Sequence, residues 1–345
     1  MKNSNKFSGG REYLSKIGNS YQKMGQGCCS IFLREEDDYM RYFSESKEEI
    51  SLIKFIAKYQ YINVNDVKYF FKSTKYYKNR VKNLVDKKLL KREKWNLVLG
   101  SIGIKYAKAF SYEYNKKNLN EKYKERLIRI ANIGAFYHKS ETVKFTPSFA
   151  IKDKEVFTTT GRRFVGILDV SGFDYLTYQI TKEHDQKYVE SVIWDIQKEQ
   201  FYNNFIVLVD DIKRINLMKF AFGKNEILII EDTIENREKL KYLHNIRWEN
   251  FIHDFYDDKV YLSGYNFCDY TDYKDKFISL FFFVDTEKIM RNWHFLNVNK
   301  YRNATLICPK EIEELIRKEL PTAYYVTIEL EDYIDKRIHY YNSLG

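Results

Sequence analysis

From residue 48 onward the chain repeats its apolar residues first at helical spacing and later at strand spacing. Glu48–Tyr59 places Leu52, Ile53 and Ile56 on one helical face. Asn65–Phe71 is a shorter helical segment, with Val67, Phe70 and Phe71 as core candidates and Asn63 or Asn65 as its cap. Lys72-Ser73-Thr74 predicts a tight turn, and Ser73 or Thr74 the cap of a third helix over Lys75–Lys88. In that helix Tyr77, Val81, Leu84 and Val85 share a face, which leaves Lys75, Tyr76, Asn79, Lys82 and Asn83 on the opposite one. Leu89–Leu99 then reads as a β-hairpin with a basic tip, and Ser101 as the cap of a last helix over Ile102–Phe110.

Leu119–Phe136 reads as a linking helix, and the pattern changes again from Val156. Arg163–Val170, Tyr175–Thr181, Asn204–Val209, Glu226–Ile230, Phe277–Val284, Thr305–Cys308 and Tyr324–Leu330 are rich in β-branched and aromatic residues and predict strands. Lys187–Lys198, Leu217–Phe222, Glu235–Asn245 and Lys310–Leu320 predict helices between them. Strands alternating with helices argue for a mixed or parallel sheet covered on its faces, an α/β domain. The expected organisation is an N-terminal arm at 1–46, a helical and hairpin module at 47–110, a helical linker at 111–150 and an α/β domain at 151–345.

Charge sharpens that division. The chain of 345 residues carries 58 Lys and Arg against 48 Asp and Glu, a net charge of +10. Residues 47–110 hold 16 basic and 5 acidic side chains, a balance of +11. Residues 111–345 hold 35 and 37, and residues 1–46 hold 7 and 6. The whole excess therefore sits on one module, the electrostatic footprint expected of a nucleic-acid-binding surface. No apolar run reaches the ~18 residues of a membrane span. The N-terminus has no apolar signal-peptide core, and four cysteines (Cys28, Cys29, Cys268, Cys308) make no disulfide framework. A cytoplasmic protein without a membrane partner is the expectation.

Two short helices, a tight turn, a third helix with a basic outer face, a hairpin and a closing helix are the order of a winged helix-turn-helix. Lysines there neutralise phosphates, while Asn79 and Asn83, one turn apart, suit adenine edges in the major groove. Lys91, Arg92 and Lys94 on the wing suit a flanking phosphate or the minor groove. The expected interface is thus Lys75, Tyr76, Asn79, Lys82, Asn83, Lys91, Arg92 and Lys94, with double-stranded DNA as partner. A homodimer would read two half-sites about one helical turn apart, ~34 Å.

The run from Ile50 to Lys108 is similar to the N-terminal module of the replication-relaxation family. Ile62-Asn63-Val64, Leu84–Leu90 and Leu97–Gly103 stand where that family has its linker, the end of its recognition helix and its wing. The resemblance implies DNA binding on plasmids and integrative elements of Gram-positive bacteria, in replication, transfer or transcriptional control, with replication or transfer proteins as partners. It also implies a second half distantly like a PD-(D/E)XK nuclease.

That implication meets the residues only in part. Such a nuclease holds Mg²⁺ with an Asp on one strand and Asp/Glu-x-Lys on the next. Asp169 suits the first position, but Gln179-Ile180-Thr181 replaces the second element, and a neutral Gln is a poor Mg²⁺ ligand. The expected second half is a degenerate nuclease-like scaffold for dimerisation or partner contacts, with no catalytic residue, metal or cofactor. The alternatives are an endonuclease with a migrated motif at Asp169, Asp174, Lys182 and Glu183, and a winged helix that contacts only protein. The six histidines contain no His-x-His pair for a nickase. Gly223-Lys224-Asn225 lacks the rest of a P-loop, and Cys28-Cys29 lacks zinc-site spacing. The Asp pairs at 37–38, 210–211 and 257–258 read as strand-end or surface positions.

Overall fold

The computed structural model describes residues 46–73, 75–112, 120–151, 163–244, 252, 260–272, 276–298 and 304–329. The arm expected at 1–46, apart from Ser46, lies outside them, as do Cys28, Cys29 and the Asp pairs at 37–38 and 257–258. The described residues are mixed α/β, with nine α-helices and three sheets. The chain divides into two compact units, one ending at Glu121 and the other starting at Lys122.

In the first unit, α1 (Lys47–Tyr59) opens at Ser46, whose N–H donates to the Glu49 carboxylate at 3.2 Å. It ends where Gln60 turns left-handed at φ 70°. Leu52, Ile53, Phe55 and Ile56 are its buried face. After β1 (Ile62–Asn63), Asp66–Phe70 forms a 3-10 turn rather than the second α-helix expected. The Asn63 side chain does not cap it but accepts the Asn65 N–H at 2.9 Å, closing an Asx turn. The third helix, α2, spans Tyr77–Asp86 with Tyr76 as its uncapped N-cap, so Lys75 and Tyr76 lie in the preceding turn and not on the helix. Ser73 is therefore not its cap, and Thr74 lies outside the described residues. The hairpin is β2 (Leu90–Glu93) and β3 (Asn96–Leu99), with β1 completing a sheet of order β1-β3-β2.

Helix α3 (Ser101–Ala109) is capped by Gly100, not Ser101. A Cβ on Gly100 would lie 2.2 Å from the Lys88 carbonyl oxygen, and one on Gly103 would lie 2.0 Å from that of Leu89. The first turn of α3 rests directly on the backbone that leads from α2 into the hairpin, which is why two glycines stand there.

In the second unit α4 (Glu121–Phe136) precedes β4 (Val143–Pro147), α5 (Ser148–Ile151), β5 (Gly166–Val170) and β6 (Phe173–Ile180). Helix α6 (Gln186–Lys198) leads to β7 (Asn204–Val209), two 3-10 turns (Ile212–Arg214 and Leu217–Phe220), β8 (Glu226–Glu231) and α7 (Ile234–Leu240). There follow β9 (Val260–Leu262), β10 (Tyr270–Asp272), β11 (Phe277–Leu280), β12 (Val284–Asp285), α8 (Thr286–Val298), β13 (Ala304–Pro309), α9 (Lys310–Glu319) and β14 (Tyr324–Ile328). The stretch expected as a linker at 111–150 thus contributes α4 and β4 to this unit. Arg126 on α4 donates to the Phe164 carbonyl at 2.8 Å, and Tyr137, just past α4, donates to that of Arg237 at 3.1 Å.

One sheet has the order β12-β8-β7-β6-β5-β4 and the other β14-β13-β11-β10-β9. Leaving β12 aside, the two share one plan: two antiparallel pairings followed by two parallel ones. A single apolar core takes side chains from both, among them Phe205, Val207 and Ile229 from the first and Leu306 and Cys308 from the second. The apolar run Phe277–Val284 is not one strand but two, β11 in one sheet and β12 in the other. Phe281, Phe282 and Phe283 cross between them as buried residues, so burial continues where pairing stops.

Candidate nucleic-acid interface

Tyr77, Val81 and Leu84 bury one side of α2. Its rotation is also set by Arg80, which pairs with Glu49 at 3.0 Å and with Glu48, both in the first turn of α1. The Arg80 guanidinium lies over the Phe71 ring, 4.6 Å from its centroid. Burial would lower its pKa, but the bonds to Glu49 and Glu48 outweigh this and raise it. With that side engaged, Asn79, Lys82 and Asn83 are exposed, as expected, and so is Lys78, which the sequence reading left out. Lys75 and Tyr76 are exposed in the turn before the helix, with the ammonium 5.7 Å from the ring centroid.

Lys91, Arg92 and Lys94 are exposed on the hairpin. Lys91 reaches Glu93 at 3.2 Å, a surface pair worth little in water. The tip is the two-residue turn Lys94-Trp95, with Lys94 left-handed at φ 56° and Glu93 paired to Asn96. Trp95 is 74% exposed, the most exposed large apolar side chain among the described residues. The sequence reading passed over it, although an aromatic in a two-residue hairpin turn is itself a signal, because such turns favour Asn, Asp and Gly. From Lys75 to Leu99 stand nine basic residues and two acidic ones, and Arg80 is the basic residue committed to the interior.

The nuclease candidates of the second unit do not converge. Asp169 and Asp174 are paired across β5 and β6 at the hairpin end, where Asp169 accepts the Gly172 N–H at 2.7 Å and so closes the turn. Burial and the Asp169 charge raise the Asp174 pKa. Lys182 and Glu183 follow the far end of β6, about 20 Å away along an extended strand at ~3.3 Å per residue. Gln179 is buried and donates to Asp232 at 2.9 Å, which in turn pairs with Arg237 at 2.6 Å. Asp210 and Asp211 are strand-end residues that accept the Lys182 and Lys213 N–H groups. Among the described residues no group of three or more His, Cys, Asp or Glu is placed to hold a metal ion, and no helix is long and apolar enough to cross a membrane. Cys268 and Cys308 are free and buried.

Two polar clusters were not foreseen. A cavity of about 250 Å³ is lined by Glu226, His244, Asp269, Asp285 and Lys288 over a wall of Phe281, Phe282 and Phe283. Lys288 bonds both Asp269 oxygens at 3.1 Å and the Leu280 carbonyl at 2.9 Å. Burial tends to lower its pKa, but Asp269 and Asp285 outweigh that and raise it. Burial, aided by the neighbouring Glu226 charge, pushes Asp285 up to about 6. Tyr175 donates to Glu226 and lies 2.8 Å from His244 Nε2; burial raises the phenol and lowers the imidazole. Lys288 is the cation that Asp269, Asp285 and Glu226 share.

The second cluster involves the loop that resembles part of a P-loop. The N–H groups of Phe222, Gly223 and Lys224 converge on the buried Glu287 carboxylate, those of Gly223 and Lys224 at 3.0 and 3.1 Å. This nest of backbone donors is filled by the protein's own anion.

Compared with known proteins, the chain matches no family model, no curated protein and no solved structure at a significant level.

Proposed function

We propose that residues 47–110 form a winged helix that binds double-stranded DNA, with α2 as the recognition helix and the β2–β3 hairpin as the wing. The observation that carries this reading is the arrangement of α2. Tyr77, Val81 and Leu84 are buried, Val85 is half-buried and the single arginine turns toward α1, while Lys78, Asn79, Lys82 and Asn83 face out beside an exposed basic hairpin. Lysines so placed neutralise phosphates and release counterions, and the two asparagines one turn apart suit adenine edges. The sequence resemblance to the replication-relaxation family supports reading this activity as part of the replication, transfer or transcriptional control of a plasmid or other mobile element.

The second unit is read as a nuclease-like scaffold that acts without catalysis, in dimerisation or partner contacts. The order β5, β6, α6, β7 supports the scaffold. The separation of Asp169 and Asp174 from Lys182 and Glu183 supports the lack of catalysis.

The test is a salt titration of full-length protein binding to labelled duplex. Changing Lys75, Lys82 and Arg92 together to Ala should weaken binding and reduce the slope of log affinity against log salt by about 0.9 per lost contact. An unchanged slope and affinity would reject the interface. Failure of the unaltered protein to shift any duplex would favour a winged helix that contacts protein.

A further inference from the structure

We infer that Trp95 is a base-stacking element, which gives the protein a preference for duplex DNA interrupted by an unpaired nucleotide over the fully paired duplex. This deepens the DNA-binding reading and rests on it.

The fold does not require a tryptophan at this position. Its ring is 74% exposed and, among the described residues, makes no ring–ring contact. A two-residue hairpin turn gains nothing from an indole, and its conformational demand is met next door by Lys94 at φ 56°.

The backbone that carries the ring is nevertheless held firmly. The Trp95 carbonyl accepts the Val64 N–H at 2.9 Å, and the next residue, Asn96, pairs with Asn63 on one side and Glu93 on the other. A flat aromatic projecting from a braced turn loses little freedom when it stacks on something.

The surroundings select the partner. Arg92 and Lys94 are exposed on the same hairpin, and Lys91 is shared with Glu93 at the surface. An exposed ring on a hairpin that also carries phosphate-seeking cations suits a nucleobase, because every base offers a π-face whatever its identity. Inserting the ring into an intact duplex means first unstacking a paired step, which an unpaired or bulged nucleotide has already done. The ring therefore reads a break in pairing, while α2 and the flanking lysines hold the duplex on either side.

The experiment compares full-length protein, Trp95→Ala and Trp95→Phe on two labelled duplexes of equal length, one fully paired and one with a central unpaired base. The unaltered protein should bind the interrupted duplex roughly tenfold more tightly, the scale of one stacked base. Its tryptophan emission should fall on binding that duplex. Trp95→Ala should lose both the preference and the change in emission while keeping its affinity for the paired duplex. Trp95→Phe should recover part of the preference. Equal affinity of the unaltered protein for the two duplexes, or a preference that survives in Trp95→Ala, would overturn the stacking role alone. Absence of binding to either duplex would instead bring down the DNA-binding reading and this inference with it.

Discussion

Arg80 on α2 and Glu49 in the first turn of α1 are joined at 3.0 Å, so α2 turns its arginine toward α1 and its lysines to solvent. Removing Arg80 leaves the buried Glu49 carboxylate without its cation. Arg80→Ala should lower stability by roughly 1–3 kcal/mol. Measured below its melting point, it should leave the salt slope of DNA binding unchanged. Lys82→Ala should behave in the opposite way, with unaltered melting and a slope reduced by about 0.9. Thermal melts paired with binding at two salt concentrations separate the two effects.

Gly103 sits where an added Cβ would meet the Leu89 carbonyl oxygen at 2.0 Å. Backbone cannot yield as a side-chain tip does, so Gly103→Ala should push α3 off the turn that joins α2 to the hairpin. The expected loss is on the order of 2 kcal/mol or more, the range of a clash in a packed interior. Denaturant unfolding checks it, and an unchanged midpoint would contradict the close approach.

Asp285 has its pKa pushed up to about 6 from an ordinary 3.8, mainly by burial. Between those values the folded chain holds a proton that the unfolded chain has lost. Stability should therefore fall as pH rises from about 4 to about 6 and flatten above that window. Asp285→Asn keeps an acceptor for the Glu287 and Lys288 N–H groups and removes the charge. Its melting temperature should fall less steeply than that of the unaltered protein over that range, which a pH series of thermal melts measures.

Glu287 satisfies three backbone N–H groups of the 222–224 loop from a buried position. Glu287→Ala should cost several kcal/mol, at roughly 1–3 per orphaned donor. Glu287→Gln, which keeps an acceptor oxygen, should cost less. Equal melting temperatures for the two variants would show that the carboxylate nest does not hold the loop.

Much of the first unit was legible because helical spacing alone separates Tyr77, Val81 and Leu84 from Asn79, Lys82 and Asn83, and because charge counts are independent of fold. Caps were less legible. Asn63, Ser73 and Ser101 all suit a cap by residue type, but which residue takes that place depends on where the backbone enters the helix. In the second unit β5, β6, β7 and β8 were visible as apolar runs, whereas β4, β9, β10 and helix α8 were not foreseen. Yet Phe277–Val284 concealed a change of sheet, because a run buried on both sides carries no periodicity to break.

The sequence by itself determined where the positive charge lies, which apolar residues of α2 face inward, and that Gln179-Ile180-Thr181 carries no Asp/Glu-x-Lys pattern, since these follow from residue type and spacing. Only the tertiary structure decided that Arg80 is an internal ion-pair partner, that Trp95 stands alone at a braced tip, that Glu287 fills its own anion nest, and that Asp269, Asp285 and Lys288 meet around a cavity. The bonds of Lys288 to Asp269, Arg80 to Glu49 and the 222–224 loop to Glu287 join residues 19 to 65 positions apart in the chain. Local pattern has no reach over such distances, whereas packing between sheets and helices brings the groups within hydrogen-bonding range.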